Sequence, residues 1–250
     1  MKQIIVKILA NLGYQLNKVN VANEKKFPDF SKKDLVLISF VQPYTMTSPE
    51  RMFSLINSVE YISANKIEGD VVECGVWRGG SSMIMAKKML ELNQNQRHIY
   101  MYDTYDGMSE PTDSDLQHDG QVAEQMLNTS DKEKDQIWCY SALDEVKNNM
   151  KKTGFDTEKI HFIQGKVEDT IPNVLPKKIA ILRLDTDWYE STKHEMQHLF
   201  PLLVKGGVLI IDDYGHWQGA RKAIDEYLRA NNITILLNRI DYTGRIGIKI

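Results

Sequence analysis

Acidic side chains come directly after two apolar stretches of this sequence. Residues 179–184 and 207–211 are almost entirely apolar, as expected of strands buried on both faces of a parallel sheet. If the two strands are neighbours, the carboxylates that follow them gather at one edge of the sheet, which is where open α/β sheets bind ligands. These carboxylates belong to Asp185, Asp187, Asp212 and Asp213.

Carboxylates crowded at one edge repel one another, and this repulsion raises the pKa of such groups. A divalent cation relieves the repulsion, and carboxylate oxygens are the ligands that Mg²⁺ prefers. The sequence therefore predicts a Mg²⁺-type site at this edge. In the competing interpretation Asp212 and Asp213 cap the next helix and Asp187 is solvated. That interpretation leaves unexplained why two separate strands end in acids, since burying an unpaired carboxylate at the edge of a sheet costs free energy.

A glycine-rich turn follows an earlier predicted strand. Residues 70–75 read as a strand that enters the turn, and residues 75–82 form the turn, where the backbone approaches a ligand and a helix N-terminus points at it. Asp103, at the end of the next strand, is placed to accept hydrogen bonds from ribose hydroxyls. This pair suits a nicotinamide dinucleotide or S-adenosylmethionine. The pattern from Glu73, E-x-G-x-x-x-G, departs from the dinucleotide pattern G-x-G-x-x-G and is also compatible with a simple tight turn.

A competing metal motif occurs in residues 194–198, which read His-Glu-Met-Gln-His and match the zinc protease pattern H-E-x-x-H. The apolar stripe of the predicted helix includes Met196 and Leu199, so both histidines should face solvent. The sequence after His198 offers no obvious third zinc ligand. We interpret the match as coincidental.

Two tryptophans stand beside the site motifs. Trp77 lies in the glycine turn and Trp188 follows the acids after the strand 179–184. Each is suited to form an aromatic wall for an adenine or a sugar ring, and each is equally suited to core packing.

The elements that must position these residues alternate between strand and helix, which predicts a mostly parallel sheet covered by helices on both faces. Ser48 is a predicted N-cap with Pro49 in the first helical position. Residues 107–119, rich in Asp, Ser and Pro, read as a long loop. The last two strands should pair in antiparallel fashion. The predicted strands are 70–75, 98–103, 159–165, 179–185, 208–211, 233–237 and 246–250.

The length of 250 residues suits one large α/β domain. We expect residues 1–68 to be an N-terminal extension with a helix that covers the cofactor site, and residues 69–250 to be the catalytic domain. Within the extension, residues 1 to about 45 should be irregular apart from a short helix over 6–16. The net charge of −3 and the scattered lysines give no electrostatic case for nucleic acid.

Both cysteines, Cys74 and Cys139, are expected to be free thiols in a reducing compartment. Lys7 interrupts the apolar run at the N-terminus, which lacks a secretory cleavage site and is too short to cross a membrane. The default expectation is a soluble cytoplasmic protein.

With these residues described, the sequence resembles the macrocin O-methyltransferase family, metal-dependent sugar methyltransferases of antibiotic biosynthesis that use S-adenosylmethionine. The resemblance runs from about Tyr44 to Leu228. Its motifs are specific as a set. They are Tyr44–Arg51 (YTMTSPER), Glu73–Ser81 (ECGVWRGGS), Gly165–Pro172 (GKVEDTIP), Leu182–Thr192 (LRLDTDWYEST) and Ile211–Tyr214 (IDDY).

The resemblance implies a Rossmann-like class I methyltransferase fold with a seven-stranded sheet. It implies Asp185, Asp212 and Asp213 as metal ligands, and Asp187 as the general base that acts with Asp185 in catalysis. The Tyr44–Arg51 segment should fold over the cofactor. Thr186 and Trp188 depart from the family's pattern and should border the acceptor. The implied cofactor-binding residues are Thr45, Thr47, Glu73, Gly75, Trp77, Gly79, Ser81, Asp103, Val167 and Glu168.

The sequence thus predicts an S-adenosylmethionine- and Mg²⁺-dependent O-methyltransferase acting on a sugar hydroxyl of a glycoside or nucleotide sugar. Its partners should be this small-molecule acceptor and, by the resemblance, a second copy of the chain, with no nucleic acid and no membrane. Two alternatives are a nucleotide-dependent oxidoreductase and a sugar- or nucleotide-binding relative without turnover. The altered glycine spacing argues against the first and the intact acids argue against the second.

Overall fold

A computed structural model describes residues 26–250, so the predicted helix over 6–16 lies outside the described residues. The sheet has seven strands in the order β3-β2-β1-β4-β5-β7-β6. The first five are parallel, and β7 pairs antiparallel with both β5 and β6. The strands are β1 (Asp70–Cys74), β2 (Ile99–Asp103), β3 (Ile160–Gln164), β4 (Ile179–Leu184), β5 (Leu203–Ile211), β6 (Asn238–Arg239) and β7 (Arg245–Ile248).

Eight α-helices accompany the sheet in the described part of the chain, with short 3₁₀ turns between some of them. The helices are α1 (Lys32–Val41), α2 (Pro49–Ala64), α3 (Gly80–Glu91), α4 (Ala123–Asn128), α5 (Leu143–Lys151), α6 (Val167–Thr170), α7 (Tyr189–His198) and α8 (Gln218–Ala230). Across residues 26–250, none of the helices combines the length and the hydropathy needed to cross a membrane.

The core consists of two large apolar clusters on the two faces of the sheet. Neighbouring strand residues point to opposite faces, so Val71 and Ile181 belong to one cluster while Val72 and Leu182 belong to the other. Buried residues of α1, α2 and α3 complete the first cluster. Burial on both faces explains why β1 and β4 have no alternation of apolar and polar residues.

The region before residue 45, predicted to be irregular, contains helix α1. Its N-cap is Ser31, whose hydroxyl accepts a hydrogen bond from the backbone N–H of Asp34, while the Asp34 carboxylate accepts one from the N–H of Ser31. This capping box fixes the start of the helix, and Leu35 and Ile38 are buried. The predicted N-cap Ser48 is confirmed, since its hydroxyl accepts from the N–H of Arg51.

The predicted strand 233–237 is wrong, because these residues form no strand and pairing begins at Asn238. β7 pairs with β5 on one side and with Asn238 and Arg239 of β6 on the other, and residues 233–237 lead into β6 without joining the sheet. Ile233 and Ile235 still pack against the core, which accounts for the strand-like apolar pattern. The final strand was predicted as 246–250 and is observed at Arg245–Ile248.

Candidate active site

A cavity of about 540 Å³ opens at the carboxyl ends of the parallel strands. The chain enters the sheet at β1, whose two neighbours are β2 and β4, so the strand order reverses between β1 and β4. Such a reversal leaves a crevice at the sheet edge, and ligands of open α/β folds bind there. The residues that follow β1, β2, β3, β4 and β5 all contribute to the wall of this cavity.

Three of the four predicted acids form one group in the cavity. One carboxylate oxygen from each of Asp185, Asp187 and Asp213 lies within 4.8 Å of the others. Asp185 and Asp187 follow β4, and Asp213 follows β5, so the pairing of these two strands brings them together. Asp187 has a φ of 67°, a left-handed conformation in which non-glycine residues are uncommon.

The surroundings of this group disfavour three negative charges. Burial is the main cause that raises the pKa of Asp187 to about 7, and the charge of Asp185 adds to it. Burial likewise raises the pKa of Asp185 and of Asp213 well above the ordinary value for aspartate. A divalent cation would offset these charges, and three carboxylates supply the hard oxygen ligands that Mg²⁺ takes. The residues therefore fit such an ion.

Asp212, the fourth acid, faces basic side chains instead. Its Oδ1 accepts a hydrogen bond from Nη2 of Arg183 at 2.7 Å, and its Oδ2 forms an ion pair with Nη1 of Arg51. Its side chain is buried. The structure thus places Asp187, rather than Asp212, within reach of one ion together with Asp185 and Asp213.

Arg183 connects the acid group to the glycine turn. The side chain is 2% exposed, and its guanidinium donates to Glu73 Oε1 at 2.8 Å and to Asp185 Oδ2 at 2.6 Å, as well as to Asp212. It also lies 3.3 Å from Thr47 Oγ1. Sequence reasoning missed this residue, although one arginine inside an apolar strand was a usable signal, because a buried charge needs partners.

Glu73 lines the cavity but is almost fully buried. One of its carboxylate oxygens accepts from Arg183 and the other from the hydroxyl of Ser82. Burial raises its pKa, and Arg183 opposes that rise. The predicted contact of Glu73 with the cofactor would therefore add to an existing ion pair.

The glycines of the turn have separate roles. At Gly75, with a φ of 80°, a Cβ would overlap the carbonyl of Asp185. At Gly80, a Cβ would collide with Thr45 and with the backbone of Tyr44. Gly79 has a φ of 89° and is the N-cap of α3, and unlike the other predicted cofactor residues it is not part of the cavity wall. Glycine at these positions lets β4 and the segment before α2 lie directly on the turn.

Asp103 holds the turn in place. Its Oδ2 accepts from the backbone N–H groups of Val76, at 2.6 Å, and Trp77, at 3.1 Å. Its Oδ1 accepts from the N–H of Tyr105 at 2.6 Å. Burial nevertheless raises its pKa. A ribose hydroxyl, as predicted, would have to use the remaining acceptor capacity of Oδ1.

The other predicted cofactor residues lie on three different segments. Helix α6 begins at Val167, and the next residue, Glu168, accepts a hydrogen bond from Ser191 at 2.8 Å. The segment before α2 and the first turn of α3 supply the rest. The predicted residues that line the cavity are Thr45, Thr47, Glu73, Gly75, Trp77, Ser81, Asp103, Val167 and Glu168.

The two tryptophans differ in their position relative to the cavity. Trp77 lines the cavity. Trp188 is 2% exposed, donates through Nε1 to the carbonyl of Ser109 at 2.9 Å and packs edge-on against Trp217 at 4.9 Å between ring centroids. Of the two positions expected to border the acceptor, Thr186 lies on the cavity wall, whereas Trp188 packs in the core behind it.

The histidines of the H-E-x-x-H match are partly exposed, and their rings contact each other at a tilt of 45° with centroids 4.4 Å apart. Within residues 26–250, neither His194 nor His198 belongs to a group of three or more potential metal ligands. The unexpected residue is Glu195, which is fully buried and whose Oε2 accepts from Thr186 Oγ1 at 3.2 Å. Burial raises the pKa of Glu195 well above its ordinary value.

Further cavity residues come from segments that sequence reasoning did not connect with the site. Tyr242 and Thr243 come from the turn between β6 and β7, where the neighbouring Asp241, outside the cavity wall, pairs with Nε of Arg51 at 3.0 Å. Thr243 is buried and donates to the carbonyl of Asp212 at 2.9 Å. Tyr242 and His216 line the cavity. A turn could be predicted from the composition of 241–244, but its contact with the acids depends on the pairing of β7 with β5.

Comparison with known proteins agrees with this architecture. The Macrocin-O-methyltransferase (TylF) family matches residues 4–246. The 8-demethyl-8-(2,3-dimethoxy-alpha-L-rhamnosyl)-tetracenomycin-C 4'-O-methyltransferase of Streptomyces olivaceus is 29% identical over 250 residues, which cover 96% of this chain and 89% of the relative. The mycinamicin III 3''-O-methyltransferase of Micromonospora griseorubida is 30% identical over 201 residues, covering 80% of this chain and 76% of the relative.

Among solved structures, the O-methyltransferase NovP superposes with a TM-score of 0.71 at 29% identity, covering 82% of each chain. The mostly parallel seven-stranded sheet with flanking helices is the class I methyltransferase fold. The family match over nearly the whole chain establishes the relationship. This chain belongs to the macrocin O-methyltransferase family and is an O-methyltransferase.

Proposed function

We propose that the protein transfers a methyl group from S-adenosylmethionine to a sugar hydroxyl of a glycoside or nucleotide sugar, with the help of a divalent cation such as Mg²⁺. The observation that carries the proposal is the group of Asp185, Asp187 and Asp213 in the wall of the cavity that the glycine turn also lines. The relatives named above act on sugars attached to tetracenomycin and mycinamicin, which supports a sugar acceptor.

The cofactor would lie along the ends of β1, β2 and β3. There the cavity wall includes the glycine turn from Gly75, the carboxylate of Asp103 and the start of α6 at Val167. Two solved structures with the same fold contain S-adenosylhomocysteine, the demethylated cofactor. The segment before α2, with Thr45 and Thr47, closes the cavity over the turn.

The cation would be held by the acids after β4 and β5. Asp185 and Asp213 are the ligands common to the family resemblance and to the observed group, and the third is Asp187 or Asp212. A divalent cation, when bound, supplies Lewis-acid activation of a sugar hydroxyl and fixes its orientation.

The acceptor hydroxyl must lose its proton, because a neutral hydroxyl is a poor nucleophile. Asp187 is our candidate for the general base. Its pKa of about 7 lies near the pH at which a base works efficiently. Arg183 contributes by holding the carboxylate of Asp185 toward the glycine turn, so the acids and the cofactor residues keep a fixed separation.

Calorimetric titration with S-adenosylmethionine, with and without Mg²⁺, tests the cofactor and the metal separately. We expect Asp185→Ala to abolish Mg²⁺ binding and to leave S-adenosylmethionine binding intact. The matched control is Asp113→Asn, at an exposed aspartate of the long loop. Comparing Asp187→Asn with Asp212→Asn then identifies the third ligand. Replacing a metal ligand weakens Mg²⁺ binding, whereas replacing the general base lowers turnover and leaves Mg²⁺ binding unchanged.

Two outcomes would refute the proposal. Failure of S-adenosylmethionine to bind under any condition would remove the assigned cofactor site. Unchanged methyl transfer in excess chelator, measured as a gain of one methyl mass on the acceptor, would remove the cation. The family match argues against the oxidoreductase alternative. Measured turnover would exclude a relative that only binds its ligands.

A further inference from the structure

A strained turn carries Asp187 into the acid group that it forms with Asp185 and Asp213. The backbone N–H of Trp188 donates to the carbonyl of Thr186 at 2.8 Å, which closes a three-residue γ-turn with Asp187 at its centre. The φ of 67° at Asp187 is that of the rarer, strained form of this turn. Such a backbone persists only where the surrounding structure holds it in place. The residues next to Asp187 must therefore be anchored.

Two of the anchors lie just outside the turn or at its end. Asp185 is held by the sheet, because its backbone N–H donates to the carbonyl of Cys74 at 2.8 Å. Trp188 is held by the core, where its Nε1 donates to the carbonyl of Ser109 at 2.9 Å. Between these points, the orientation of Thr186 decides whether its carbonyl can accept the hydrogen bond that closes the turn.

The orientation of Thr186 is fixed through its side chain by a buried acid. Its hydroxyl donates to Oε2 of Glu195, on helix α7, at 3.2 Å. Glu195 is fully buried, and within residues 26–250 its other oxygen, Oε1, has no hydrogen-bond partner. Burying a carboxyl group with an unpaired oxygen costs free energy, so packing alone would favour an apolar residue here. The bond to Thr186 is the contact that accounts for an acid at this position.

We propose, on the basis of the proposed function, that Glu195 is a positioning residue, which acts through Thr186 to hold the turn that places Asp187 in the acid group. The hydrogen bond restricts rotation of the short threonine side chain and thereby fixes the carbonyl that closes the turn. Without this bond the turn relaxes away from its strained φ and the carboxylate of Asp187 leaves the group. Asp187 then no longer attracts a cation bound there, whether it acts as a ligand or as a neighbouring charge.

Amide hydrogen exchange of the ligand-free full chain, measured by NMR, tests the turn itself. Thr186→Val keeps the shape of the side chain and removes the donor, whereas Thr186→Ser keeps the donor. We expect the Trp188 amide to exchange about five- to tenfold faster in Thr186→Val, and Thr186→Ser to recover most of the protection. An increase below about twofold, or an equal increase in Thr186→Ser, overturns the inference.

Calorimetric titration with Mg²⁺ alone tests the acid group. Glu195→Met fills the same space without an acceptor and should weaken Mg²⁺ binding about five- to tenfold. Glu195→Gln keeps an oxygen that accepts from Thr186 and should recover most of the lost affinity. The matched control is Glu190→Met, at an exposed acid of the same helix, and it should have no effect. Equal losses in Glu195→Met and Glu190→Met, or no loss in Glu195→Met, refute the inference.

The double variant Thr186→Val/Glu195→Met separates positioning from fold stability. It removes both polar partners, so its urea midpoint should lie above that of Thr186→Val, which leaves the acid without its donor. Its Mg²⁺ affinity and its Trp188 exchange should stay at the level of Thr186→Val, because the bond is still absent. Recovery of both to wild-type values would reduce the pair to a structural role and refute the inference.

Failure of the proposed function is recognised separately. A wild-type protein that binds no Mg²⁺ removes the cation from the proposed function. The exchange of the Trp188 amide still decides, in that case, whether Glu195 and Thr186 hold the turn.

Discussion

Replacing Arg183 with methionine is expected to destabilise the fold severely. The guanidinium is 2% exposed and donates to Glu73, Asp185 and Asp212, of which Glu73 and Asp212 are themselves 1% and 3% exposed. Breaking a buried ion pair by removing one partner costs about 3–5 kcal/mol, because the remaining charge is left without compensation. Arg183→Met should fall within that range because, among the described residues, Glu73 loses its only cation and Asp212 keeps only Arg51.

The assay is urea unfolding followed by circular dichroism, with the free energy of unfolding obtained from the midpoint and the slope. The double variant Arg183→Met/Glu73→Gln removes the charge of Glu73 that Arg183→Met leaves without a cation, so we expect it to be about 1–3 kcal/mol more stable than Arg183→Met alone. Arg183→Lys keeps the charge but loses the planar fork that reaches several carboxylates at once, and it should fall between wild type and Arg183→Met.

A loss below about 1 kcal/mol in Arg183→Met would refute this reasoning. It would mean that the surrounding carboxyls are neutral in the folded protein and need no cation. A double variant less stable than Arg183→Met would also contradict it, since Glu73 would then stabilise the fold through other contacts, such as that with Ser82.

Three further predictions concern other parts of the site and the sheet. Gly75→Ala should cost at least about 2 kcal/mol in urea unfolding, because φ is 80° and a Cβ would overlap the carbonyl of Asp185; an unchanged midpoint would contradict this. Asp103→Asn should weaken S-adenosylmethionine binding in calorimetry about tenfold, because the turn loses a charged acceptor, and wild-type affinity would refute the role. His161 has a pKa below its ordinary 6.5, because of burial and then His98, so the folded state binds fewer protons than the unfolded state. The contribution of His161 to stability should therefore be full above about pH 6.5 and be lost as the pH drops through the folded pKa. Urea midpoints at pH 7.5 and 5.5 should show that His161→Phe loses less stability than wild type over this interval, and an equal change in both proteins would contradict the prediction.

The fold could be predicted from sequence because its strongest signals are local. Strand β4 is a short run that is apolar except for Arg183, β1 leads directly into a glycine turn, and Ser48 with Pro49 fixes the start of α2 through a cap that involves neighbours in the chain. Such features need no knowledge of distant contacts. The segment 233–237 shows the limit, since its apolar pattern is strand-like, whereas the residues that pair with β7 are the polar Asn238 and Arg239 that follow it.

The candidate site also combines features that are local in sequence with features that depend on tertiary contacts. The sequence by itself determined that acids follow β4 and β5, and that a glycine turn follows β1, because each feature is a short motif at a strand end. Only the tertiary structure decided how the acids group. Asp187 joins Asp185 and Asp213, while Asp212 turns to Arg51 and Arg183. That choice depends on where two buried cations lie, and their positions are set by contacts between residues 29 and 161 positions apart in the chain.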